Sequence, residues 1–134
     1  MSNLRENDSF TAWTHAELLN RVFCTDYKRW MSSVWNVDDD TIVWMVRFDG
    51  KIRDGWRNRI LSDDSLCQEN VYGKKMWKGV PVDDSQQLRL VFAITEDDYC
   101  RKYVFKGVYK YDPNGSDPKG REYFKKQSSE FCLS

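Results

Sequence analysis

The stretch Tyr103-Val-Phe-Lys-Gly-Val-Tyr-Lys-Tyr111 sets Tyr103, Phe105, Gly107, Tyr109 and Tyr111 against Val104, Lys106, Val108 and Lys110. A period of two puts alternate side chains on opposite faces of a strand, and aromatic and β-branched residues suit a pleated surface. Gly107 interrupts the aromatic row, and glycine inside a strand marks a bend, a bulge or a close approach. The same alternation runs through Leu88, Leu90, Phe92 and Ile94, and from Thr41 through Ile42, Trp44, Val46 and Phe48. Both faces of the Thr41 segment start apolar, which predicts a central strand.

Outward from these strands, turn signals divide the chain. Asp49-Gly50 favours a tight hairpin turn because both central residues take positive φ, and a second Asp-Gly, Asp54-Gly55, leads into Trp56–Leu61. Ser62-Asp-Asp-Ser65 turns Trp56–Leu61 into Leu66–Tyr72, predicting three or four strands in a meander. Gly73–Asp84 reads as an irregular basic loop around Trp77, Asp112–Pro118 as a Pro/Gly-rich loop, and Arg121–Gln127 as the last strand. Ahead of the strands, Thr14-His-Ala-Glu17 has capping-box spacing before Leu18, Leu19, Val22 and Phe23. Tyr27, Trp30, Met31 and Val34 follow at helical offsets. The expected fold is α+β: one or two N-terminal helices, then a strongly curved antiparallel sheet or small β-barrel of about six strands. A single domain is expected over 1–134, with 1–13 partly disordered, 14–36 helical and 41–127 forming the sheet or barrel.

Composition bounds the function. The 134 residues carry 21 basic and 21 acidic side chains, so no broad basic surface covers the molecule. Charge is nonetheless polarised: Arg101–Lys126 holds eight Lys or Arg against three acids. Cys24, Cys67, Cys100 and Cys132 form no CxxC pair and no secretory leader precedes them, which predicts reduced thiols, buried as small hydrophobes, in a cytoplasmic protein. No apolar run approaches the ~20 residues of a membrane span. Nothing indicates a cofactor or a metal: the glycines build no phosphate loop, and His15 is the only imidazole.

Catalysis finds little support. His15 lies in the first turn of the first helix, where a solvated surface role is the plain expectation. The carboxylate pairs fall in turns, and although Asp49 and Glu69 with a Lys could serve a metal-dependent nuclease, no spacing singles them out. No catalytic residues are assigned, and a binding protein is expected. Trp44, Trp56, Trp77 and Tyr109 are interleaved with Arg47, Arg53, Arg57 and Lys106, and Asn58 lies in the dense polar segment Asp49–Arg59. Aromatic faces stack on bases, Arg and Lys meet phosphate, and Asn can pair with a base edge. The ordinary reading of each residue singly is a core tryptophan or a solvated lysine.

Trp44, Gly55-Trp56 and Lys102-Tyr-Val-Phe-Lys-Gly-Val-Tyr109 together resemble the PUA-like superfamily over residues 41–127. That superfamily includes the SRA, EVE and YTH domains, compact barrels that read modified bases through aromatic pockets. Phe105-x-Gly107-x-Tyr109 is similar to a strand of small bacterial domains fused to restriction nucleases. The resemblance implies a reader of nucleic acid, a modified base among its targets, with Trp44, Trp56 and Tyr109 stacking and Arg47, Arg57, Asn58 and Lys106 as polar partners. The alternative is a small protein-interaction module, such as a phage or mobile-element inhibitor or a complex subunit, using the same aromatics as anchors.

Overall fold

The structure, a computed structural model, describes residues 3–53, 55–70, 87–96, 101–117 and 121–133. Among the described residues, ten strands and one helix follow in the order β1 (Asn3–Arg5), β2 (Ser9–Ala12), α1 (His15–Phe23), β3 (Val34–Asn36), β4 (Thr41–Val46), β5 (Trp56–Ile60), β6 (Leu66–Asn70), β7 (Leu88–Glu96), β8 (Arg101–Asp117), β9 (Arg121–Ser128) and β10 (Glu130–Cys132). The main sheet has the order β3-β4-β7-β8-β9-β6-β5, with β2 also on β8, while β1 and β10 form a separate two-stranded ribbon.

Strand β8 organises the sheet. One edge pairs with β7 along Arg101–Lys110; the other pairs first with β2 at Arg101–Val104 and then with β9 from Val108 onward. Gly107 sits at that handover. The β7 register slips there, so that Val91 faces Gly107 but Phe92 faces Phe105. The extra residue is a β-bulge, and it reverses which parity faces which side. Tyr103 and Phe105 therefore join one core with Val108, whereas Tyr109 and Tyr111 face the other. Gly107 holds φ +131°, and a Cβ there would lie 2.8 Å from Lys126 Cε and 2.8 Å from the Ser128 carbonyl oxygen, so only glycine fits the bulge.

The first core lies under α1. Thr14 accepts a hydrogen bond from the Glu17 amide at 3.1 Å, capping a helix whose Leu18, Leu19 and Val22 pack on Val43, Met45, Leu90 and Phe92. The second core lies on the opposite face, where Trp44 and Val46 of β4 meet Leu66 of β6 and Phe124 of β9. The sheet thus curls until its two halves share side chains. It does not close: the terminal strands β3 and β5 do not pair, so the expected barrel is an open, curved sheet.

Other expectations change as well. Tyr27–Val34 forms no second helix; after the left-handed cap at Cys24 (φ 57°) the chain is irregular until β3. Its helical spacing instead gathers aromatics: the Tyr27 and Trp30 ring centroids stand 5.0 Å apart, and Trp35 Nε1 donates to Tyr27 Oη at 2.8 Å. Within the polar N-terminal segment, Asn3–Arg5 and Ser9–Ala12 form β1 and β2, which pair with β10 and β8. The sheet is not wholly antiparallel, because β4 runs parallel to β7, a pairing that needs a long crossover. The β5–β6 hairpin lies in that crossover, so β4 and β5 are not the meander neighbours their spacing suggests. Strand β8 continues to Asp117, through the expected Pro/Gly loop, with a register break after Asp112. Of the cysteines, Cys67 is buried, whereas Cys24 and Cys132 are exposed, one at the helix cap and one on the short ribbon; Cys100 lies outside the described residues. No described helix is long and apolar enough to cross a membrane.

Candidate nucleic-acid interface

Asn58 of β5 and Gln68 of β6 stand directly opposite one another in the hairpin register. Alternation puts Trp56 on the same face as Asn58 and Arg57 on the other. These side chains line a cavity of about 320 Å³, within the size range of small-molecule sites. Its other walls are Trp44, Met45 and Val46 of β4, His15 of α1, Ser33, Ile94 of β7, Arg101 of β8, and Arg47, Lys51 and Arg53 of the loop after β4.

Two acceptors in this cavity have no donor among the described residues. Asn58 Oδ1 and Gln68 Oε1 are shielded from solvent and make no hydrogen bond among the described residues, and Gln68 as a whole is only 8% exposed. A buried, unsatisfied acceptor costs about 1–3 kcal/mol, and such groups are rare enough in folded chains to call for an explanation. A larger cavity of about 800 Å³ lies beside α1 and the β1–β10 ribbon, but its walls are mainly apolar residues at the margin of the first core, such as Leu4, Phe10, Val22 and Phe131. The orphaned amide oxygens single out the smaller one.

Asp49 cross-braces the loop after β4. Asp49 accepts two hydrogen bonds from the Arg53 guanidinium, at 3.0 and 2.6 Å, and one from the Lys51 amide at 3.0 Å. Those donors hold the Asp49 carboxyl well below the usual carboxylate range. Arg53 and Trp56 exchange backbone hydrogen bonds of 2.8 Å each, with Gly55 at φ +86° between them. Asp49-Gly50, expected to form a hairpin turn, only bends the loop; Asp54 lies outside the described residues. The hairpin itself is fastened to the sheet by Tyr109, whose hydroxyl donates to the Asp64 carbonyl at 3.0 Å. Burial pushes that hydroxyl up to about 12.

His15 is not the solvated residue its position suggests. Its Nδ1 and the Tyr103 hydroxyl share a hydrogen bond of 2.7 Å, and burial, with Arg101 and Arg47 nearby, lowers its pKa to about 4. The imidazole is neutral at physiological pH. Arg47 and Arg101 both reach Glu96, at 2.5 and 3.3 Å.

Five of the nine residues chosen from sequence come together here: Trp44, Arg47, Arg53, Trp56 and Asn58. Trp44 is a wall rather than a free stacking face, being 4% exposed with its ring against Phe124 at 5.3 Å and the Arg89 guanidinium at 5.3 Å. Arg57 points away, pairing with Glu69, which also accepts from Arg121 Nε at 2.7 Å. Asp49 and Glu69 are thus separate ion-pair partners rather than a joint metal site. Tyr109 is in the core at 2% exposure, because the Gly107 bulge turns it onto the face occupied by Trp44 and Phe124. Lys106, at the bulge itself, does not line the cavity. Trp77 lies outside the described residues. Gln68, Arg101, Lys51 and His15 are additions. A cross-strand partner for Asn58 could have been found by pairing Trp56–Ile60 with Leu66–Asn70 across the Ser62–Ser65 turn; Arg101 and His15 arrive through long-range pairing that leaves no local pattern.

Comparison with known proteins agrees with this architecture. The chain is similar to the 5-hydroxymethylcytosine-specific restriction enzyme AbaSI, at 25% identity with a TM-score of 0.65, over 92% of this chain and 39% of AbaSI. The chain therefore spans about two fifths of that enzyme. No curated protein matches it. The family model described as SET and RING associated domain matches residues 3–133, from the first described strand to the last, and the chain belongs to that SRA family, a PUA-like group of modified-base readers.

Proposed function

We propose that this chain is a DNA reader that takes a modified cytosine, extruded from the duplex, into the cavity between β4 and the β5–β6 hairpin. The observation that carries the reading is the pair of orphaned acceptors, Asn58 Oδ1 and Gln68 Oε1, beside the Trp56 ring. Acceptors call for donors. Cytosine offers its exocyclic amino group, and a 5-hydroxymethyl substituent adds an O–H, whereas a 5-methyl adds none. AbaSI, named for its specificity for 5-hydroxymethylcytosine, supports the same chemistry.

A recessed cavity is out of reach for a base stacked in a helix, so recognition requires extrusion, as in other proteins that act on single bases. Trp56 supplies the aromatic face on which the base stacks, and Trp44 with Val46 forms the apolar floor. Arg47, Lys51, Arg53 and Arg101 at the rim suit the backbone of the extruded nucleotide. Recognition rather than chemistry is favoured by the lining itself: among the described residues no carboxylate lines the cavity, and its imidazole is neutral and already hydrogen-bonded.

The test is equilibrium binding of duplexes that differ in one base: cytosine, 5-methylcytosine or 5-hydroxymethylcytosine. The hydroxymethylated duplex is expected to bind most tightly. Asn58→Ala should shrink its advantage by about 1–3 kcal/mol, the worth of one good base-edge contact. Equal affinity for all three duplexes would overturn the reading.

A further inference from the structure

The cavity rim carries more positive charge than a neutral base requires. Arg47, Lys51, Arg53 and Arg101 all line it. Arg53 is committed to Asp49 through two hydrogen bonds. Arg47 and Arg101 converge instead on a single atom: Glu96 Oε1 lies 2.5 Å from Arg47 Nη2 and 3.3 Å from Arg101 Nε. Glu96 does not line the cavity, and its side chain is 49% exposed. Neutral His15, desolvated beside both arginines, leaves the corner net positive once that carboxylate moves away.

Guanidinium groups bind carboxylate and phosphate through the same planar donor geometry. Two of them meeting on one exposed oxygen at the mouth of a nucleotide-sized cavity make a site that a phosphodiester can take over. We propose that Arg47 and Arg101 form a phosphate subsite at the cavity rim, held in the DNA-free chain by the Glu96 carboxylate, which a backbone phosphate of the bound strand displaces. This rests on the cavity being the nucleotide site. Glu96 is then a built-in competitor. It weakens phosphate binding on every sequence alike, because phosphate contacts carry no base information, and so leaves unmodified DNA poorly held.

The experiment is fluorescence-anisotropy titration of the full chain with a cytosine duplex and a 5-hydroxymethylcytosine duplex, from about 50 to about 200 mM salt. Glu96→Gln should tighten both duplexes several-fold and steepen the salt dependence. Arg101→Ala should weaken both and flatten the log–log slope by about 0.9, one phosphate contact. In the Arg101→Ala background, Glu96→Gln should gain much less than it does alone. The ratio of affinities for the two duplexes should stay constant across these variants. Weaker binding by Glu96→Gln would make the carboxylate a structural brace and overturn the proposal. An undiminished gain in the Arg101→Ala background would reduce it to net charge and overturn it too. Equal binding of the two duplexes by the wild type would refute base reading while leaving the slope test decisive for the phosphate subsite.

Discussion

Asn58 and Gln68 face one another across two strands, and among the described residues neither amide oxygen has a donor. Their cost to the folded state makes a stability prediction that ordinary core polar residues would not. Gln68→Leu removes a buried orphan acceptor and keeps most of the volume, so thermal denaturation should show a protein as stable as the wild type or more so, while affinity for the hydroxymethylated duplex falls. His15 predicts a pH effect whose sign follows from burial. Its folded pKa is near 4 against an ordinary 6.5, so the unfolded chain binds the extra proton between those values, and His15 contributes a loss of stability as pH falls from about 6.5 to about 4. His15→Gln should flatten that part of a denaturant-midpoint profile. At this scale the sequence was informative where local alternation sufficed, as for Trp56 and Asn58. It misled where a distant partner decided the outcome: Tyr103 and two arginines convert His15 from a surface residue into part of the wall.

Strand β8 and the β5–β6 hairpin determine whether the cavity exists. The alternation from Tyr103 to Tyr111 located the strand, and Gly107 within it signalled an irregularity. What the pattern could not convey was that the bulge exchanges faces, sending Tyr109 into the second core instead of along the Tyr103 row. Gly107→Ala would need a positive φ and would meet Ser128 and Lys126; the expected loss is about 1–3 kcal/mol in chemical denaturation. Tyr109→Phe keeps the ring but loses the bond to Asp64. It should cost about 0.5–1.5 kcal/mol and loosen the hairpin, detectable as faster amide exchange at Asn58 and Gln68. The second helix failed for a related reason. Tyr27, Trp30 and Val34 have helical spacing, but the left-handed turn at Cys24 redirects the chain, and Tyr27 packs against Trp30 and Trp35 while Val34 packs against the second core.

The whole molecule has no net charge, yet four cations gather around one cavity. Local concentration of charge therefore replaces a broad basic surface, and the salt dependence of DNA binding should reflect only a few phosphate contacts. Curvature of the sheet was legible from the run of strands and the interior glycine, but its openness and the parallel β4–β7 pair were not, because both depend on which distant strands become neighbours rather than on any local pattern. The resemblance rested on a few strands within residues 41–127, whereas the family match extends over residues 3–133. The central claim, that a base enters the cavity, is tested most directly by the emission of 2-aminopurine placed next to the modified cytosine in a duplex. Extrusion of its neighbour unstacks the probe, so emission should rise several-fold when the wild-type chain binds and far less with Trp56→Ala at matched saturation. Saturating binding with unchanged emission would contradict base capture.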